Sequence, residues 1–410
     1  VVSEPLVILG NGMAAQRLVE DLARNALGRY AIAVVGDEPR LAYNRVLLSS
    51  VLAREASQDE VELKPSAWWR DRGVTLLYGQ RATAIDVDNR RVELAGGAML
   101  PYAKLVLATG SRPLRPAIPG IGLPGVTTFR DMADVAALQS SASRTTRAVV
   151  IGGGLLGLEA AYGLAKAGAQ VAIVHLMDRL MERQLDIRAA ALLKQALESK
   201  GIAVHLAAET AAVLGDRCVG GLALRDGREL AADLVVVATG IRPNVELAQA
   251  GGLDVDRGIV VDDHLRTSRA DIYAIGECAQ HRGVCYGLVE PAYEQARVLA
   301  AHLSGRDVGY GGSVLATNLK VSGIGVFSAG DFMGAPETEQ IILSDAGLRT
   351  YRKLVIGGDR LVGAVLFGDT ADGLWYLDLI RRGVAIDAIR ADMIFGRALA
   401  ERTAPNAMAA

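Results

Sequence analysis

The stretch "LVILGNGMAAQRLVEDLA" (6–23) decides the fold, because "AVVIGGGLLGLEAAYGLA" (148–165) repeats its layout. In each, an apolar strand runs into a glycine turn: Gly10-x-Gly12-x-x-Ala15, then Gly152-x-Gly154-x-x-Gly157. A helical pattern follows, with Leu18, Val19 and Leu22 inward in the first copy. Each copy then continues into a further strand, "AIAVV" (31–35) and "QVAIV" (170–174), completing a βαβ unit. Two more strands are duplicated, "KLVLATGSRP" (104–113) and "DLVVVATGIRP" (233–243). A lone glycine motif is a weak signal. Two copies in strand–turn–helix context, each paired with an Ala-Thr-Gly strand, form a strong one.

The turn chemistry is specific. The first glycine permits the tight bend, and the second lets the backbone approach a pyrophosphate. The third small residue allows close helix–sheet packing while the helix N-terminus faces the anion. These glycines could instead merely join strands in a buried core, but that reading is hard to sustain for both copies together. The chain therefore reads as α/β with two dinucleotide-binding folds.

Beyond residue 243, "GLDVDRGIVVDDHLRTSRADIYAIGECAQ" (252–280) is dense in short strands. A helix is expected over "EPAYEQARVLAAHLSG" (290–305), with Pro291 in its first turn. From about residue 314 the pattern alternates apolar and polar residues, which predicts an antiparallel sheet with a hairpin at "GGD" (357–359). The helix "GLWYLDLIRRG" (373–383) closes it, and the tail "TAPNAMAA" (403–410) is expected to fray.

A hydrophobic content of 51% against 22% charged residues describes a chain with enough apolar surface to build cores, and 410 residues imply two or three of them. A formal net charge of −2 provides no basic footprint, so nucleic acid is not an expected partner. No run of 18 or more apolar residues is free of charge, and "VVSEPLVIL" at the start lacks a basic region followed by a cleavage site. The expectation is a soluble protein with no membrane contact and no targeting segment. Three cysteines, Cys218, Cys278 and Cys285, are too few for a disulfide framework and fit a reducing cytoplasm. Neither they nor the histidines, His281 and His302 among them, show metal-ligand spacing, so no metal is expected.

The two glycine turns, the two Ala-Thr-Gly strands and "TSRADIYAIGECA" (267–279) together resemble the pyridine nucleotide–disulfide oxidoreductase superfamily. The likeness covers essentially the whole chain. Through "EPRLAYNRVLLSS", "GGGLLGLEAA", "LMERQLD" and "DIYAIGECA" it is greatest to the FAD- and NAD(P)H-binding portion of nitrite reductase large subunits and assimilatory nitrate reductase electron-transfer subunits. Rubredoxin and ferredoxin reductases are more distant. The resemblance implies two Rossmann-like domains of the glutathione-reductase type plus a C-terminal α+β sheet domain. The expected division is a discontinuous FAD-binding domain (1–114 and 244–313), an NAD(P)H-binding domain (115–243), a C-terminal interface domain (314–403) and a tail (404–410).

For FAD, the resemblance places Gly10, Gly12 and Ala15 around the pyrophosphate, with Arg45 balancing its charge. Asp37 or Glu38 would take the adenosine ribose hydroxyls; the strand ends in Gly36, so which acid does this stays open. Ala82 would offer backbone to the adenine. Thr109 and Gly110 would close over the nucleotide, with Arg130 on the same side. Gly276 and Glu277 match the motif whose acid bonds the ribityl chain, here one methylene longer than the usual aspartate. The helix beginning near Glu290 would point its positive end at the flavin. In related enzymes a lysine or redox cysteines follow "YNRVLL"; here Ser49 and Ser50 stand there, and Ser50 is expected in the flavin wall with no redox role. Cys278 is expected to be packing, because no second cysteine sits at CxxC spacing.

For the nicotinamide cofactor, the implied residues are Gly152, Gly154, Gly157 and Gly240. Glu159 matches a family glutamate at the nicotinamide–flavin contact and is the one candidate catalytic residue; its bland alternative is a buried carboxylate at a domain junction. His175 stands where NAD-preferring relatives carry an acid and cannot replace one. Arg179 or Arg183 could reach a 2′-phosphate, but "MDRLMERQLD" (177–186) also reads as a helix with exposed arginines, and Asp178 opposes a phosphate. NADH is slightly favoured over NADPH through the nitrite reductase likeness.

The implied function is an NAD(P)H-dependent FAD oxidoreductase without a redox-active disulfide. Electrons would leave for a separate acceptor, a nitrite or nitrate reductase subunit or another iron–sulfur protein. The chain shows no cysteine-rich iron–sulfur or sirohaem module, so nitrite reduction would need a partner, although a start at Val1 without Met leaves a longer chain open. A rubredoxin- or ferredoxin-type reductase is the alternative, with serine in place of lysine at Ser50 against it. A flavin-binding redox sensor is the third. A homodimer through the C-terminal sheet and a monomer are both compatible with the family.

Overall fold

The computed structural model describes residues 3–26, 28–321 and 323–403. The expected tail 404–410 lies outside the described residues. By its internal contacts the chain divides into two units. The first holds residues 1–48, 56–113 and 241–313; the second holds 49–55, 114–240 and 314–410.

The chain opens with β1 (Glu4–Leu9), α1 (Met13–Asn25) and β2 (Tyr30–Gly36), followed by β3 (Thr75–Tyr78), β4 (Lys104–Leu107) and β5 (Ser111–Pro113). β1 lies between β2 and β4, parallel to both, with Leu9 opposite Val35 and Leu107. Leu6, Ile8, Leu105 and Leu107 are fully buried, which explains why these strands read as continuous apolar runs. Leu18, Val19 and Leu22 of α1 face that sheet and are buried as well.

In the second unit come β6 (Val126–Thr128), β7 (Arg147–Ile151), α2 (Leu155–Lys166), β8 (Gln170–Val174), α3 (Ile187–Glu198), β9 (Ala203–His205) and β10 (Leu234–Val237). The sheet order β6-β10-β7-β8-β9 places the glycine-turn strand centrally, as β1 is placed in the first unit. The stretch 177–186, expected to be helical, is instead a run of bends and turns. Met181 there holds φ +50°, and its amide bonds the Gly153 carbonyl rather than a helical partner.

The chain returns to the first unit with β11 (Ile241–Pro243), β12 (Ile272–Ala274) and α4 (Val289–Leu303). β12 completes the first sheet beside β4, and β11 pairs antiparallel with β5.

The remaining elements are β13 (Ala316–Val321), β14 (Ile324–Gly330), β15 (Glu339–Asp345), β16 (Thr350–Gly357), β17 (Arg360–Gly368) and α5 (Gly373–Arg382). They form an antiparallel sheet, β13-β14-β17-β16-β15, whose turn at 357–360 falls where the hairpin was expected. Phe327, Leu354, Leu366 and Tyr376 build a separate core under α5. This sheet groups with residues 114–240 through Asp186, which caps α3 at the Ala189 amide (2.9 Å) and accepts the Tyr351 hydroxyl at 2.6 Å.

Candidate functional site

In the first unit, the turn after β1 is held by its neighbours. The Gly10 amide donates to the Val35 carbonyl and the Ala108 amide to the Leu9 carbonyl, both at 2.7 Å. Gly10 has φ +112°, and a Cβ there would lie 2.0 Å from the Ala108 carbonyl oxygen, so only glycine fits. Gly12 is the N-cap of α1, and a Cβ on it would meet nothing within 4 Å. No side chain caps this helix and its first turn holds no acid. Its first amides therefore lack partners within the helix, a terminus suited to an anion. Ala15 is fully buried beneath it, and the Asn11 Oδ1 is buried without a hydrogen-bond partner. A cradle, a free helix terminus and an orphaned acceptor fit a dinucleotide such as FAD.

The two candidate acids are separated. Glu38 accepts the Tyr43 hydroxyl at 2.8 Å and pairs with Arg45, whereas Asp37 is exposed, with Arg81 at 3.8 Å. Burial works against the Arg45 charge, but Tyr43 and Glu38 outweigh it and hold its pKa above the ordinary value. Glu277 accepts the Ser111 hydroxyl at 2.7 Å. Gly276 (φ +79°) donates its amide to Gln295 Oε1 of α4 at 2.7 Å. Glu290 lies in the first turn of α4, exposed and 3.1 Å from Arg297; no side chain caps that helix either. Thr109 and Gly110 are tied to Asn244, whose amide donates to the Gly110 carbonyl at 3.0 Å. Ala82 is half-buried opposite Leu94 in a hairpin.

Cys278 is fully buried, its sulfur 3.4 Å from the Leu107 carbonyl and 3.3 Å from that of Ile275. Burial pushes its thiol pKa up. A thiol in that setting is a small packing group, not a nucleophile. Cys285 is half-buried and Cys218 exposed, and all three are free.

The second turn repeats the first. The Gly152 amide donates to the Val174 carbonyl and the Ala238 amide to that of Ile151, both at 2.8 Å. Gly152 has φ +120°, with a Cβ position 2.2 Å from the Ala238 oxygen. A Cβ at Gly157 would lie 2.0 Å from the Gly152 oxygen, whereas one at Gly154, the N-cap of α2, would meet nothing within 4 Å. Gly240 (φ +127°) accepts the Leu114 amide at 2.9 Å and is equally open. The cradle and the uncapped helix again fit a dinucleotide.

Glu159, on the second turn of α2, is 8% exposed. Burial alone pushes its carboxyl pKa up to about 8. His175 is buried, with Nδ1 3.0 Å from the Gly153 amide nitrogen and Nε2 3.1 Å from Glu182. Arg179 pairs with Asp178 at 3.0 Å. Arg130, read with the flavin residues, lies two residues past β6 in the second unit, its amide on Asp134 at 2.8 Å. Ser50 also groups there. Its segment 49–55 is tied to that unit by Gln139, which donates to the Val51 carbonyl at 2.7 Å, and by Tyr162, which donates to Glu55 at 3.0 Å.

Sequence reasoning missed Asn11, Asn244, Gln295 and Glu182. A signal existed for one of them: the duplicated "ATGSRPL" and "ATGIRPN" differ at two positions, Ser111 against Ile241 and Leu114 against Asn244. Among the described residues, no group of three or more His, Cys, Asp or Glu could hold a metal ion. No helix there is long and apolar enough to cross a membrane.

Two duplicated nucleotide folds with open glycine turns and no paired cysteines define a two-dinucleotide oxidoreductase. Residues 4–302 match the family model described as pyridine nucleotide-disulphide oxidoreductase, and residues 316–384 match the rubredoxin NAD+ reductase C-terminal domain. The chain belongs to the pyridine nucleotide-disulphide oxidoreductase family. It is 44% identical over 378 residues to a nitrite reductase [NAD(P)H] of Bacillus subtilis (strain 168), covering 92% of this chain and 47% of that protein. It is 42% identical over 384 residues to the assimilatory nitrate reductase electron transfer subunit of the same organism, covering 93% and 50%. Among solved structures, the covalent putidaredoxin reductase–putidaredoxin complex matches with a TM-score of 0.88 at 26% identity, covering 100% of both chains. The chain spans about half the length of the two curated relatives named here.

Proposed function

We propose that this chain takes electrons from NAD(P)H through FAD and delivers them to a separate redox protein in nitrite or nitrate assimilation. The observation that carries the reading is the repeated crossing at Gly10 and Gly152, each seated on a backbone carbonyl with a free helix terminus beside it. FAD, when bound, would accept one hydride, that is two electrons, and could release them singly; the protein's share is binding, orientation and charge. Gly10, Gly12 and Ala15 would seat its pyrophosphate on the amides of α1. Asp37, exposed and only loosely paired with Arg81 at 3.8 Å, would receive the ribose hydroxyls in preference to Glu38, and Arg45 would balance the phosphate charge. Gly276, Glu277 and the α4 terminus would hold the flavin end, with Thr109, Gly110 and Ala82 on the nucleotide; Ser50 and Arg130, which group with the second unit, are assigned to FAD by the family resemblance alone.

Gly152, Gly154, Gly157 and Gly240 would seat NAD(P)H, with His175 and Arg179 beside the turn. Glu159, neutral near pH 7, would meet the nicotinamide as an uncharged acid able to donate a hydrogen bond. NADH is our preferred reductant, through the likeness to nitrite reductases. A reducing cytoplasm is the proposed location, supported by three free cysteines.

A second reading has its own support. The match of residues 316–384 to the rubredoxin reductase domain favours a small one-electron carrier as acceptor. One experiment separates the readings. Purified protein should be yellow, and NADH should bleach the flavin rapidly. Reoxidation is then compared with a nitrite or nitrate reductase module and with rubredoxin. Colourless protein that takes up no flavin overturns both readings, and slow bleaching with a long-lived charge-transfer band marks a sensor instead.

A further inference from the structure

Each glycine turn packs against the end of the next strand within its own unit, and the two units fill that gap from opposite sides. In the first unit the strand ends in Gly36 and the turn carries Asn11; a Cβ at Gly36 would lie 2.6 Å from the Asn11 Cβ. In the second unit the arrangement is exchanged. The turn carries Gly153 and the strand is followed by His175, so that a Cβ at Gly153 would lie 2.8 Å from the His175 Cγ and 2.6 Å from the Leu180 Cδ2.

The exchange brings a hydrogen-bonded chain with it. The Gly153 amide donates to His175 Nδ1 at 3.0 Å, and His175 Nε2 lies 3.1 Å from Glu182 Oε2. An amide N–H can only donate, so Nδ1 carries the lone pair, the ring proton sits on Nε2, and Glu182 accepts it. The Gly153 carbonyl accepts the Met181 amide at 3.0 Å. Both polar groups of Gly153 are thus taken by the segment 175–182, whose Leu180 and Met181 are fully buried.

We propose that His175, its tautomer fixed by Glu182, is a positioning residue that holds the Gly153 amide and so shapes the turn for the nicotinamide nucleotide's pyrophosphate. It does not read the 2′ position of the adenosine ribose. The inference rests on the assignment of NAD(P)H to the second unit. It leaves the amides of the first turn of α2 to receive the phosphates, and it leaves His175 no lone pair for a ribose hydroxyl.

The test is calorimetric titration of the FAD-loaded chain with NAD+ and with NADP+, alongside steady-state kinetics with both reduced forms. His175→Leu removes the acceptor and strands a buried N–H; roughly tenfold weaker binding is expected, by the same factor for both nucleotides. The KM for each reduced nucleotide should rise with kcat at saturation unchanged. His175→Asn, whose Oδ1 can take the place of Nδ1, should restore binding. Should His175→Leu fold poorly, Glu182→Leu provides the second reading: a smaller loss, again parallel for the two nucleotides. Unchanged affinity in His175→Leu overturns the inference, and so does a loss confined to one nucleotide. Wild-type protein that binds neither nucleotide would instead overturn the assignment beneath it.

Discussion

The Asn244 side chain donates to the Thr109 carbonyl at 2.8 Å, and the Thr109 hydroxyl donates back to the Asn244 carbonyl at 3.0 Å. With the Asn244 amide on Gly110, three hydrogen bonds fasten the first Ala-Thr-Gly turn to the residue just past the strand that follows the second. Asn244→Ala should therefore lower stability by about 1–2 kcal/mol, since partners are left unpaired rather than replaced. The turn borders the proposed FAD site, so flavin should also be retained less well. Thermal unfolding and the flavin-to-protein absorbance ratio check both.

The glycine turns make a sharper prediction, because each unit should fail alone. Gly10→Ala forces a Cβ against the Ala108 carbonyl, and Gly152→Ala does so at Ala238. Protein carrying Gly10→Ala should emerge with little flavin. Protein carrying Gly152→Ala should remain yellow but bind NAD(P)H at least tenfold more weakly, a difference of about 1.4 kcal/mol. Equal effects of the two substitutions on flavin content would contradict the assignment of one nucleotide to each unit.

Glu159 sets a pH dependence whose sign follows from burial. Its carboxyl is raised from an ordinary value near 4.5 to about 8 in the folded chain. Between those values the unfolded chain has lost the proton and the folded chain keeps it, so stability falls as pH rises through that window and levels off above it. Glu159→Gln removes this dependence. The variant should match the wild type near pH 5 and exceed it near pH 8, by on the order of a few kcal/mol. Urea unfolding at the two pH values decides the point. If Glu159 meets the nicotinamide, the fall in kcat/KM for NAD(P)H above pH 8 should vanish in the same variant.

Cys278→Ala tests whether electrons leave without sulfur. The thiol is sealed from solvent and its burial opposes the thiolate. The substitution should cost about 1 kcal/mol of packing and leave NAD(P)H-driven dye reduction within twofold of the wild type. A collapse of dye reduction in folded, flavin-loaded variant would show that the thiol takes part.

Some of this architecture was legible in the chain and some was not. The glycines at 10, 12, 152, 154 and 157 declare themselves because backbone crossings forbid a Cβ or leave room for a ligand, and that requirement is local. The strands Gln170–Val174 and Lys104–Leu107 were equally plain, being apolar runs that are mostly buried. The segment 177–186 misled, since its apolar spacing suits a helix while the Met181 amide in fact bonds the Gly153 carbonyl and the Leu180 side chain packs against Gly153. Spacing reports which residues are buried, not what buries them.

The sequence by itself determined that two nucleotide folds occur, where each turns, and that no pair of cysteines is spaced for a redox disulfide. These depend on neighbours within a few residues, which sterics and turn chemistry constrain directly. Only the tertiary structure decided that Glu38 is held by Tyr43 and Arg45 while Asp37 is exposed, that His175 serves the Gly153 amide, and that Asn244 locks Thr109. Each depends on groups brought together from distant parts of the chain or on which of several nearby partners a side chain takes. Such choices are made by packing, and composition and spacing do not record them.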